Sequence, residues 1–127
     1  MDKQKKIAIV NTLDQIGMKH SLKGYGYSIS SIEKCLADRA LIHCVCKGIY
    51  ADIAAENNDT VSRVERAMRH AIECVWENGN TIAINKIFGY TVSARKGKPT
   101  NSEFIATITD FISLNYKEIA DGTYNFD

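Results

Sequence analysis

Between Thr60 and Trp76 the chain places Arg63, Glu65, Arg66, Arg69 and Glu73, with Ser62 and His70 among them. These residue types share one chemistry. A guanidinium donates two parallel hydrogen bonds to O6 and N7 of guanine, and a carboxylate accepts one from the N4 amine of cytosine. Arg63 and Arg66 are therefore candidate guanine readers and Glu65 a candidate cytosine reader, so a duplex site containing G·C pairs is expected. Arg69 and His70, one to two turns further on, suit backbone phosphates, which position a protein without specifying sequence. Arg95, Lys96 and Lys98 add cations in a later segment that could reach phosphates beside the same groove. Alternating Arg and Glu also occurs where it serves only solubility and i,i+4 pairing of about 0.2–0.5 kcal/mol. Three features weigh against that plainer use. A short helix, a polar turn and a longer helix form a helix-turn-helix pattern over about residues 49–77. The face carries three Arg against two Glu. The basic segment at 95–98 follows.

Those side chains need a rigid support. From Val61 to Trp76, at about 100° per residue, Val61, Val64, Ala67, Met68, Ala71, Ile72, Cys74 and Val75 share one half of the wheel. The polar residues fill the other half, with Trp76 at the margin. Thr60, or Ser62 paired with Glu65, can cap the start, and Gly79 follows the end. Upstream, Ile7, Val10, Leu13 and Ile16 form a stripe closed by Gly17, and KGYGYS (23–28) reads as a turn. A helix is expected from about Tyr27 to Ala37. The stretch 40–56, interrupted by Gly48, ends in a short helix and the turn Asn57–Thr60. Downstream, 81–88 reads as a helix stopped by Gly89, and 90–99 as an extended basic loop. Thr100 and Glu103 have capping-box spacing for a last helix. Residues 117–127 read as a loose tail. The sum is an all-α, compact, six-helix domain spanning 1–127.

Composition bounds the alternatives. With 127 residues, 45% hydrophobic and 24% charged, the chain suits one globular domain. Net charge is +1, distributed as +1 over 1–59, +4 over 60–100 and −4 over 101–127. A basic middle favours a polyanionic partner. No apolar run nears the roughly 20 residues that cross a bilayer, and MDKQKK lacks a signal's apolar core, so no membrane partner and a cytoplasmic location are expected. Cys35, Cys44, Cys46 and Cys74 form no CxxC pair and read as small buried thiols. Even with His43 beside Cys44, no metal or cofactor is expected. No Ser-His-Asp set or phosphate-binding glycine loop is legible, so the chain reads as no enzyme.

The strings SRVERAMRHAIE (62–73), FGYTV (88–92) and KPTNSEFIA (98–106), with KGYGY (23–27) and YADIA (50–54), add a resemblance. Over about residues 5–116 the chain resembles the C-terminal effector domain of the stage-zero sporulation response regulators. The resemblance implies a six-helix module that binds double-stranded DNA at short boxes like TGTCGAA, often as head-to-tail dimers on tandem copies. It implies base reading by Arg63, Glu65 and Arg66, and backbone contacts by Ser62, Arg69, His70, Lys98, Asn101 and Ser102. For Asn101 and Ser102, plain helix capping is an equal alternative. Two positions depart from the family pattern, with Ala51 in place of Pro and Gly26 in place of a bulkier residue. No receiver domain precedes KGYGY, so control by phosphorylation within the chain is not expected. Regulation of transcription is the implied role. The alternative is a protein-interaction module or antagonist that pairs with a full-length regulator.

Overall fold

The computed structural model describes residues 2–89 and 97–127. Six α-helices follow in order, α1 (Lys3–Ile16), α2 (Lys23–Ala37), α3 (Ala51–Glu56), α4 (Val61–Asn78), α5 (Thr81–Phe88) and α6 (Asn101–Asp121). Between α2 and α3 the chain winds through a 3-10 segment, Arg39–Cys44, and a π-helical segment, Val45–Tyr50. Among the described residues there is no strand, as the all-α expectation requires.

Local chemistry sets most boundaries. Asp2 caps α1, and Gly17 ends it at φ 90°, a conformation that an L side chain strains to adopt. Asn80 caps α5, and Thr100 with Glu103 forms the expected capping box on α6. Val45 and Ile49 of the π-helical segment and Ile53 of α3 are all buried in one cluster, so the packing face runs on past Gly48. At the start of α3 the Ala51 N–H donates to the Gly48 carbonyl. Proline there would forfeit that bond.

Two hydrophobic clusters fill the interior. The larger joins α1, α2, α5, α6 and the C-terminal half of α4, through Ile9, Leu13, Ile32, Ile72, Val75, Phe88, Phe104 and Ile108. The smaller joins α2, α3, the π-helical segment, the N-terminal half of α4 and the start of α6, through Tyr27, Ile49, Tyr50, Ile53, Val64, Met68 and Ile105. Helix α4 therefore runs from one cluster into the other. Each large apolar side chain that it buries stabilises the fold by about 1.5–3 kcal/mol.

Two expectations need correction. KGYGYS is not a turn but the opening of α2. Its Gly24 is there for space, since a Cβ at that position would lie 2.3 Å from the Ala67 carbonyl oxygen and 2.6 Å from Ala71 Cβ. The glycine lets α2 pack directly on the backbone of α4. Residues 117–127 are likewise no loose tail. Helix α6 continues to Asp121, and Gly122 closes it at φ 85°. Tyr124 then packs edge-to-face and Phe126 at a tilt against Phe111, with centroids 5.1 and 6.0 Å away, and Phe126 is only 8% exposed. Aromatic burial at this end outweighs the polar look of ADGTYNFD.

The Gly24 contact makes a prediction about stability. Gly24→Ala should lower it by about 1–3 kcal/mol, because the clash is with backbone that cannot rotate away. Gly26→Ala meets nothing within 4 Å and should be neutral or stabilising. Urea unfolding of the two variants separates these outcomes, and equal midpoints would contradict the close approach.

Candidate nucleic-acid interface

The turn between α3 and α4 is fastened at several points. Asn57 Nδ2 donates to the Ile53 carbonyl at 2.8 Å, and Asn58 takes φ 52°. The Asp59 N–H reaches back to the Ala54 carbonyl at 2.9 Å. The Asp59 carboxylate accepts from Tyr27 Oη at 2.7 Å and from the Thr60 N–H at 2.9 Å. This latch ties the turn to α2. Of the two caps open from sequence, the structure has Thr60, whose hydroxyl accepts from the Arg63 N–H at 3.2 Å.

Beyond that cap, Val64, Met68, Ala71, Ile72 and Val75 are fully buried. Their burial forces the remaining arc of α4 outward. Ser62, Arg63, Arg66, Arg69 and His70 are exposed, Arg63 with 73% of its side chain in solvent, while Glu65 and Glu73 are half-buried.

Charges on this face are largely paired within the chain. Arg69 Nη1 lies 2.8 Å from Glu65 Oε1, and Arg63 Nη1 lies 4.0 Å from Asp59 Oδ1. Lys98 forms an ion pair with Glu73 across 25 positions of sequence. Its ammonium holds the Glu73 carboxyl below the usual carboxylate range. Arg66 makes no ion pair with any described residue. His70 Nε2 sits 3.8 Å from Cys74 Sγ.

Helix α6 begins beside α4. Asn101 Nδ2 donates to the Glu65 carbonyl at 3.0 Å, so this side chain docks one helix on the other. Ser102 stands exposed in the first turn of α6. Between the two helices runs a groove of about 450 Å³, floored by Tyr50, Ile72 and Pro99 and rimmed by Arg69, Lys98 and Ser102. The structure thus brings Ser62, Arg63, Glu65, Arg66, Arg69 and His70 together on α4, with Lys98, Asn101 and Ser102 alongside. Arg95 and Lys96 lie outside the described residues. Of the cysteines expected to be buried thiols, Cys35 is buried, Cys74 is half-buried and Cys44 is exposed. Burial lifts the Cys35 thiol to about 11.

Sequence reasoning missed the partners that Tyr27 and Glu73 find, Asp59 and Lys98. Tyr27 stood inside the KGYGY motif, but its partner Asp59 is 32 positions away, and no local pattern joins them.

The described residues thus form an all-α domain that turns the arginine-bearing arc of α4 to solvent. Residues 9–112 match the family model described as Sporulation initiation factor Spo0A C terminal, and the chain belongs to that family. The family is one of DNA-binding domains and not of enzymes. No helix of the described residues is long and apolar enough to cross a membrane.

The Tyr27–Asp59 latch has a defined pH window. Hydrogen bonds from Tyr27 and the Thr60 N–H lower the Asp59 pKa, so its contribution is present above the ordinary Asp range and is lost as pH falls through the lowered value. The bond to Asp59 and burial raise the Tyr27 pKa, so its contribution is present below the ordinary Tyr value and is lost as pH rises through the raised one. Both hold at neutrality. In Tyr27→Phe, the Asp59 carboxyl should titrate at higher pH than in the parent protein. Side-chain carboxyl NMR reads the two midpoints directly, and identical midpoints would show the bond to be absent.

Proposed function

We propose that the chain regulates transcription by reading short boxes resembling TGTCGAA, with the first turns of α4 in the major groove. The observation that carries this reading is the pairing of a fully buried face with exposed Arg63 and Arg66 on one rigid helix. A helix of that diameter enters the major groove, and its N-terminal side chains meet the base edges. In this reading Arg66 takes the O6 and N7 of one guanine, and Arg63 takes another after leaving Asp59. Glu65 accepts from a cytosine N4 amine, which requires Arg69 to turn from its carboxylate toward a phosphate. The CG step in such a box presents these partners.

Backbone contacts complete the proposal. Ser62, Arg69 and His70 face the strand beside α4, while Lys98 and Ser102 face it from the start of α6. The free N–H groups of α6's first turn favour an anion there. Asn101 is already bonded to the Glu65 carbonyl, so its part is to hold α6 in place. Arg95 and Lys96 belong to the same cationic stretch of sequence and are assigned to phosphates on charge alone.

Base readers and phosphate binders fail differently. Arg66→Ala should weaken binding to the box by about 1–3 kcal/mol and remove the penalty for substituting one guanine. Lys98→Ala should weaken cognate and scrambled duplexes alike. Fluorescence anisotropy at one stated salt concentration measures both, and unchanged discrimination in Arg66→Ala would overturn its role.

A further inference from the structure

We propose that Glu73 is an intramolecular competitor for DNA phosphate: its carboxylate occupies the Lys98 ammonium in the free protein and must be displaced before Lys98 can contact a strand. The inference rests on the reading of Lys98 as a phosphate contact.

The geometry places one acid where a phosphate would go. Glu73 projects from α4 and pairs with Lys98, which itself lines the groove beside the first turn of α6. Both side chains are partly exposed, at 38% and 44%, so an incoming strand can reach the pair. Arg69 and His70 of the same helix also bear electrostatically on Glu73. A phosphate that takes Lys98 comes to rest near the released carboxylate, and two anions then share one site.

The consequence appears in the salt dependence. A free lysine that meets a phosphate releases counterions and adds about 0.9 to the slope of log K against log salt. A lysine drawn from Glu73 leaves a bare carboxylate that takes up a cation, which cancels much of that release. Glu73 therefore lowers affinity for every duplex, whatever its sequence, and flattens the response to salt. Sequence preference stays with the readers on α4.

The test is a double-mutant cycle on the full chain, using a scrambled duplex so that no base reading enters. Glu73→Gln should tighten binding about fivefold, the effect of one near charge pair in water, and steepen the salt slope by about 0.9. In a Lys98→Ala background the same substitution should do much less on both measures. Equal gains with and without Lys98 would reduce Glu73 to a general negative charge and overturn the proposal, as would weaker binding by Glu73→Gln. Failure of the box reading shows separately, as equal affinity of the parent protein for cognate and scrambled duplexes.

Discussion

The structure depends on the burial of one face of α4 in two hydrophobic clusters at once. Val64 and Met68 enter the smaller cluster beside Ile53 and Tyr50, while Ile72 and Val75 enter the larger one beside α1, α5 and α6. A helix held at both ends of its apolar stripe cannot roll about its axis without exposing large side chains, each worth about 1.5–3 kcal/mol. Rotation is thereby fixed, and with it the outward direction of Arg63 and Arg66. Recognition of a base edge needs that rigidity, because a bidentate hydrogen bond fails when a guanidinium is displaced or tilted.

Neighbouring elements act on the same helix. Gly24 lets α2 lie against the backbone at Ala67, and Tyr27, one turn later, reaches the turn through Asp59. Asn101 docks α6 onto the Glu65 carbonyl. The first half of α4 is thus supported from below by packing, at its start by the turn and from the side by α6. Its exposed charges, by contrast, are mostly engaged with acids of the same chain. Exposed ion pairs of this kind contribute little to stability. Their larger effect falls on what an incoming polyanion must displace.

Much of this was legible in the sequence because it is local. The 3.6-residue stripe of α4, the glycine after α1 and the capping box of α6 all involve residues within one or two turns of each other, and the structure contains each. Exposure of Arg63 and Arg66 followed from the same stripe. What escaped depends on distant partners. KGYGYS looks like a turn until Ala67 and Ala71 show why position 24 must be small. The end of α6 looks polar until Phe111 offers Tyr124 and Phe126 a surface. Likewise, Glu65 and Glu73 read as bystanders or base readers on a wheel, where the i,i+4 reach of Arg69 and the distant Lys98 are hard to rank. The family resemblance supplied the positions around Lys98 that periodicity alone left open, and the match over residues 9–112 establishes that family.

The central claim is that the outward arc of α4 lies against guanines in the major groove. Dimethyl sulfate methylates guanine N7, which lies in that groove and is the atom assigned to an arginine. With the box duplex saturated by protein, the guanine N7 atoms of its CG step should be protected from methylation, while guanines in the flanks stay reactive. Full reactivity of every guanine N7 in a saturated complex would contradict the account.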